Sequence, residues 1–269
     1  MLMASQEQKP VLQLLGVNKS FASGTRGTLK VLDDIDLSVT PHRIHALLGR
    51  SGCGKSTLLS IIAGLLDADS GAVRIDGLER DCRGHDPEVG YVFQDDRLMP
   101  WRTARDNVCF ALENRPMRRG ERRAQAIEML ELVGLAGFEN AFPAQLSGGM
   151  RSRVALARAL VRGPRLLLMD EPFSRLDAET RTAMHQQILD LRVRLGTTVL
   201  MVTHDVEEAV VLADEITVLA PNPGRIAAEV SLHARLADTG ELRDGTDPDV
   251  VETMRELKAR LKETTAAAD

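Results

Sequence analysis

Cysteine is scarce in this chain. Its 269 residues hold three, Cys53, Cys82 and Cys109, at no metal-like spacing, which argues for a reducing compartment. No apolar run approaches the roughly 18 residues that span a bilayer, and residues 1–9 lack the apolar centre of a signal peptide. An excess of basic charge is missing too. The 34 Lys and Arg against 39 Asp and Glu leave a net charge of −5, so the chain as a whole gives non-specific nucleic-acid binding no electrostatic support. There is no internal repeat. These absences place the chain in the cytoplasm. Hydrophobic residues at 43% and charged ones at 27% make it globular, with room for one large α/β domain or a core plus a subdomain.

What is present is concentrated first at Gly49-Arg50-Ser51-Gly52-Cys53-Gly54-Lys55-Ser56-Thr57, the G-x-x-x-x-G-K-[ST] phosphate-binding loop. Residues 44–48 lead in as a buried strand and residues 58–66 lead out as a helix. The glycines let successive N–H groups face an anion at a helix N-terminus that already favours negative charge. Lys55 is placed to reach the β- and γ-phosphates of a nucleotide, and Ser56 to ligate Mg²⁺. Cys53 sits inside the loop beside Lys55, an environment that favours thiolate.

Along the chain, residues 1–9 read as polar and frayed, residues 11–17 as a strand, residues 23–27 as a turn and residues 72–75 as a short strand. Ile35, Leu37 and Val39 alternate with polar residues as in a half-buried strand. The N-terminal portion is therefore expected to be antiparallel and β-rich. Residues 89–93 form a compact apolar strand ending at Gln94. From 103 to 135 the pattern is helical, and Arg118, Arg119, Arg122 and Arg123 read as a solvated face. Residues 166–169, 199–202 and 216–219 are short apolar runs that alternate with helical patterns, the mark of a parallel sheet. Val250, Val251, Met254, Leu257 and Leu261 predict an amphipathic helix begun at Asp247-Pro248, with a loose tail from Thr264.

Asp170 and Glu171 close the 166–169 strand, where α/β proteins bind ligands. There Asp170 can hold Mg²⁺ through water and Glu171 can polarise an attacking water. His204 ends a parallel strand on the same edge, placed to hydrogen-bond a γ-phosphate. His42, His45, His85, His185 and His233 carry no such signal. Ser147-Gly148-Gly149 precedes a helix and suits a second anion. One nucleotide needs one phosphate cradle, so a second cradle points to the nucleotide of another copy.

Taken in order, the phosphate loop, Gln94, Leu146 to Met150, Leu166 to Glu171, Ser174-Arg175-Leu176-Asp177 and His204 resemble ABC transporter ATPase subunits from about residue 11 to about 230. The resemblance implies a P-loop NTPase (RecA-like) core with an N-terminal antiparallel β subdomain and an inserted α-helical subdomain. It sets an ATPase domain at 10–232, its helical subdomain at about 97–160, and a C-terminal helical extension at 233–269. It implies a head-to-tail homodimer with two Mg-ATP between protomers. Phe21 matches the adenine-stacking aromatic; Ser147, Gly148 and Gly149 match the segment that meets the opposite subunit's γ-phosphate. Asp177 would tie the two sites together, and Gln94 would sense Mg²⁺ and water. Met150 stands where the family usually has Gln, and Arg175 where small residues are common.

Within that family the segments Leu98-Met99-Pro100-Trp101-Arg102-Thr103 and 220–226 look most like nitrate, sulfonate and taurine importers, and cyanate, bicarbonate, aromatic-acid and pyrimidine-precursor importers share these features. The implied setting is peripheral, on the cytoplasmic face of the inner membrane, with a separate permease and an extracytoplasmic solute-binding protein. Residues 98–101 would form the surface that accepts a permease helix, although Trp101 could instead anchor the subdomain's own core. The alternatives are a soluble ABC ATPase acting on nucleic acid or the ribosome, opposed by the single nucleotide domain, and a degenerate regulator, opposed by Glu171 and His204.

Overall fold

The apolar runs at 166–169 and 199–202 sit side by side in the middle of a six-stranded sheet. In the computed structural model, which describes residues 9–22, 27–80, 88–232 and 240–266, that sheet comprises β3 (Ile44–Leu48), β6 (Val89–Val92), β7 (Leu166–Asp170), β8 (Thr198–Thr203), β9 (Glu215–Ala220) and β10 (Arg225–Ser231). Its order is β10-β9-β3-β8-β7-β6. All neighbours are parallel except β10, which pairs antiparallel with β9. Met169 lies opposite Met201 and Leu48 opposite Thr203, so the ends of β3, β7 and β8 form one edge.

Successive residues of a strand point to opposite faces, and here both faces are covered. Leu47, Leu166, Leu168, Leu200 and Val202 enter one buried cluster with Leu58, Leu59 and Ile62 of α1 (Lys55–Ile62). Ala46, Leu167, Met169, Val199 and Met201 enter the other. This two-sided burial is why the strands read as unbroken apolar runs.

The second sheet is antiparallel, in the order β2-β1-β4-β5, from β1 (Leu12–Ala22), β2 (Thr28–Val39), β4 (Ser70–Ile75) and β5 (Leu78–Glu79). Leu12, Leu14, Ile35 and Leu37 pack from it onto α1 and the core sheet.

On the opposite side lie α2 (Ala104–Phe110), α3 (Arg119–Leu132), α4 (Gly148–Leu160), α5 (Ala178–Leu195), α6 (Val206–Leu212) and α7 (Pro248–Ala266). In α7, Val250, Met254 and Leu257 are buried in the same cluster as α6 and β9. Arg192 of α5 and Asp214, both buried, pair at 2.9 Å, and Asp214 also accepts the Ile44 N–H at 2.9 Å. A buried pair of this kind fixes where α5 sits against β3 more than it adds stability.

Several expectations need correction. The helical stretch 103–135 is two helices. Tight bonds from Ala111 N–H to Val108 and from Leu112 N–H to Cys109 end α2, and Pro116, with no N–H, keeps the chain out of helix until Arg119. Strand β1 runs on to Ala22, β6 stops before Phe93, and α7 continues past Thr264. Strand β10 carries no expectation at all. The turn at 23–26, Cys82, His85, His233 and residues 1–8 lie outside the described residues.

Candidate active site

The phosphate loop leaves β3 and winds directly into α1. Gly54, immediately before the helix, has φ +97°, and a Cβ there would stand 2.7 Å from Leu32 Cδ2 and 3.1 Å from the Val31 carbonyl oxygen. Only glycine meets both conditions. Lys55 Nζ donates to the carbonyls of Gly49 at 2.7 Å and Arg50 at 2.8 Å, so its ammonium is folded over the loop's own backbone. A cavity of about 340 Å³ opens above, lined by Ser51, Lys55, Ser56, Gln94 and Glu171, with Val31 on its wall. Gly52 and Thr57 also face it.

The carboxylates come from the far end of β7. Ser56 Oγ donates to Asp170 Oδ1 at 2.9 Å. Burial pushes the Asp170 carboxyl above its ordinary range, the Ser56 hydrogen bond opposes this, and the neighbouring Glu171 charge raises it further. Hydroxyl and carboxylate oxygens are the hard donors that Mg²⁺ takes. No group of three or more His, Cys, Asp or Glu that could hold a metal occurs among the described residues. A cation held by Ser56 and Asp170 would therefore complete its shell with phosphate oxygens and water, the usual habit of Mg²⁺.

Glu171 follows with φ +45°, a region that disfavours residues with a Cβ. Its N–H is fixed on the Val202 carbonyl at 3.0 Å. The carboxylate lies between Gln94 Nε2, which donates to Oε2 at 3.3 Å, and His204 Nδ1, which is 3.2 Å from Oε1. Three strand ends thus converge on one oxygen pair beside the cavity. Tyr91, which sequence reasoning missed, stands beside Asp170 from β6, and burial, aided by the Asp170 charge, drives its phenol far up.

The other sequence-predicted residues gather elsewhere. Ser147 caps α4, accepting the Met150 N–H at 3.2 Å. Asp177 caps α5, accepting the Thr180 N–H at 3.0 Å, which holds its carboxyl below the usual range. A Cβ on Gly149 would lie 2.7 Å from Thr180 Cγ2, so these two helix starts touch. Both Ser147 and Gly148 are exposed, and none of this group lines the cavity over the phosphate loop. Phe21 is 39% exposed on β1, with Lys19 Nζ 5.4 Å from its ring.

Two expectations fail. Cys53 is 1% exposed, and burial outweighs the Lys55 charge to raise its thiol above the ordinary value, so no reactive thiolate is favoured. Leu98 is not a surface residue; it is buried in the core cluster. The connector there is clamped by Asn107, fully buried, whose side chain accepts the Met99 N–H at 2.8 Å and donates to the carbonyls of Met99, Arg102 and Thr103. Met99 is half-buried, Pro100 exposed, and Trp101 74% exposed, which rules out a core anchor.

Residues 32–174 match the family model described as ABC transporter. The taurine import ATP-binding protein of Pseudomonas savastanoi pv. phaseolicola is 45% identical over 93% of this chain and 96% of its own length. That of Burkholderia thailandensis is 49% identical over 80% and 83%. The chain belongs to the ABC transporter family.

A dimeric bacterial ABC transporter cassette, MJ0796, superposes with a TM-score of 0.74 at 33% identity over 83% of this chain and 99% of that one. The same cassette as a dimer in a post-hydrolysis state bound to ADP and Pi gives 0.72 at 32% identity. The fold is thus that of a P-loop NTPase cassette, and the chain is an ATP-hydrolysing ABC transporter subunit. A soluble ABC ATPase acting on nucleic acid is not favoured. No helix among the described residues is long and apolar enough to cross a membrane.

Within this ABC cassette, the segment after Gln94 is tied to neighbouring motifs. Asp95 pairs with Arg175, the residue that departs from the family pattern. Arg151 of α4 pairs with Asp96 at 3.0 Å, and Arg158 of the same helix donates to the Asp96 and Arg97 carbonyls at 2.7 and 2.8 Å. A groove of about 450 Å³ lies alongside, walled by Leu65, Tyr91, Phe93, Phe110 and Arg162.

Proposed function

We propose that this ABC ATPase drives uptake of taurine or a related small anion, such as another sulfonate or nitrate, through a separate permease. It would work peripherally on the cytoplasmic face of the inner membrane, downstream of an extracytoplasmic solute-binding protein. What supports the solute class is the 41–49% identity to taurine import ATP-binding proteins of several bacteria. The observation that carries the chemistry is the Glu171 carboxylate, set between Gln94 at 3.3 Å and His204 at 3.2 Å beside the phosphate loop.

In this reading Lys55 and the loop N–H groups of residues 49–57 bind the nucleotide phosphates, and Phe21 stacks on its base. Ser56 and Asp170 hold Mg²⁺, with Gln94 nearby, and the cation supplies charge neutralisation on the phosphates. Glu171 takes the proton of the attacking water, and His204 steadies the γ-phosphate. Two copies pair head to tail, so that Ser147, Gly148, Gly149 and Asp177, which stand away from the chain's own phosphate loop, meet the partner's nucleotide. The ATPase domain spans 10–232, with its helical subdomain near 97–160 and an extension beyond 233. Met99, Pro100 and Trp101 face the permease.

Uptake of labelled taurine tests the reading in cells that lack their own taurine import ATP-binding protein and carry this chain with its permease. Accumulation that depends on Lys55 is the expected result. ATP turnover with accumulation of a different anion would overturn the solute and leave the ATPase. No turnover by the purified chain would overturn both.

A further inference from the structure

The arginine run at the start of α3 is exposed at Arg118 and Arg119, as its sequence suggests, and half-buried at Arg122 and Arg123. The chain folds it against the face of α2 and its flanks, leaving a cleft of about 290 Å³ on the helical side of the molecule. Arg102, Asp106 and Glu113 line one wall, and Arg119, Arg122 and Arg123 line the other. Arg102 is already engaged, with Glu113 at 2.7 Å. Asp106 lies 3.5 Å from Arg105 Nε, outside the cleft. Among the described residues the guanidinium groups of Arg119, Arg122 and Arg123 have no ion-pair, hydrogen-bond or ring partner. Cys109 forms the floor: its thiol donates to the Arg122 carbonyl at 3.6 Å. Burial raises that thiol and the Asp106 charge adds to it, while the Arg105, Arg123 and Arg122 charges oppose the shift.

Three unpartnered guanidinium groups converging on one concave space form a strong positive field with donors in fixed, planar forks. Such forks match the oxygens of phosphate and sulfate-like groups better than an ammonium does. The nearby carboxylates offset only part of the field: Glu113 is held by Arg102, the Asp106 charge is felt at Cys109, and four arginines face these two carboxylates along the cleft.

The geometry points to a second anion site, separate from the phosphate loop, in which Arg119, Arg122 and Arg123 bind a tetrahedral oxyanion head. Its chemical class is sulfate, sulfonate or phosphate, either free or carried as a lipid headgroup. A sulfonate occupant rests on the proposed solute class; sulfate and phosphate do not.

The test uses the full chain with its phosphate loop filled by a saturating non-hydrolysable Mg-ATP analogue, so that the γ-phosphate position is filled as well, and the arginine variant separates the cleft from residues 147–149. Sulfate, inorganic phosphate and taurine are titrated in by calorimetry, and vesicles of phosphatidylglycerol or of phosphatidylcholine are tested by co-sedimentation. One saturable ion per chain, or selective sedimentation with phosphatidylglycerol, is expected, and the arm that responds identifies the source. Arg122→Gln with Arg123→Gln should weaken that binding at least tenfold while ATP binding and thermal unfolding stay as in the wild type. If this variant does not fold, alkylation of Cys109 in the wild type, read by peptide mapping, supplies the measurement: the binding ion should slow it. No saturable binding in any arm, undiminished binding in a folded variant, or an unchanged Cys109 rate would overturn the site. Sulfate binding without taurine binding would leave the site standing and remove the sulfonate occupant.

Discussion

Glu171→Gln isolates the loss of the base from any loss of shape. Gln keeps the side-chain length and one of the two oxygens, and it shares the backbone preferences of Glu, so the φ of +45° adds no new strain. Its amide still fits between Gln94 Nε2 and His204 Nδ1, which stand 3.3 and 3.2 Å from the present carboxylate oxygens. Nothing in the phosphate loop is touched: Lys55 keeps its carbonyls and Ser56 keeps Asp170. What disappears is proton acceptance, a general-base contribution of about 10²–10⁴ in rate, or about 2.7–5.5 kcal/mol of barrier. Single-turnover hydrolysis with enzyme in excess measures the chemical step, and a fluorescent nucleotide measures binding. Hydrolysis should fall at least about 100-fold with affinity unchanged, and ATP should accumulate in a dimer visible by size exclusion. Hydrolysis within about threefold of the wild type, under 1 kcal/mol of barrier, would refute Glu171 as the base.

Trp101→Ala should leave a folded, ATP-binding chain, since the ring is 74% exposed, yet weaken permease co-purification by about 2 kcal/mol or more if it is an interface anchor; unchanged co-purification would exclude the segment. Cys53 should resist alkylation in the native protein at neutral pH, because burial raises its thiol and the thiolate forms only as pH climbs past that raised value. Peptide mapping that finds Cys53 modified as fast as an exposed thiol would contradict this. Gly224→Ala should weaken ATP binding, because the new Cβ would fall 2.4 Å from the Cys53 carbonyl oxygen and force the phosphate loop to shift; nucleotide titration of a folded variant decides it.

The core sheet was legible because burial on both faces leaves its mark within each strand: residues 166–169 and 199–202 need no context. The helix of Val250, Met254 and Leu257 was legible for the same reason, its apolar face repeating at helical spacing. Strand β10 was not, since half-buried Ile226, Ala228 and Val230 alternate with exposed neighbours and only pairing with β9 makes them a strand. The phosphate loop is contiguous and therefore readable, as are the strand-end positions of Asp170, Glu171 and His204. The state of Cys53 is not readable, because only part of what buries it is local: Gly49 of the same loop lies against its sulfur, whereas Gly224, far along the chain, lies against its carbonyl. Asn107 escaped notice for a similar reason. Its signal is four hydrogen bonds to a connector, and a single Asn in a helix announces none of them.

Arg151 and Arg158 make the segment after Gln94 and the helix behind Ser147 a single lever. Helix α4 has 13 residues, about 20 Å at 1.5 Å per residue. A turn of about 10° around one end would carry the other by about 3.5 Å, more than the length of a hydrogen bond. With the Arg158 end as pivot, Ser147 and Gly149 ride at the tip, one turn from Arg151, which holds Asp96 two residues after Gln94. A small displacement caused by one site's chemistry would then be large enough at the tip to make or break contact with a nucleotide on the opposing subunit. Timing between two active sites would thus be carried by two arginines and a rigid rod.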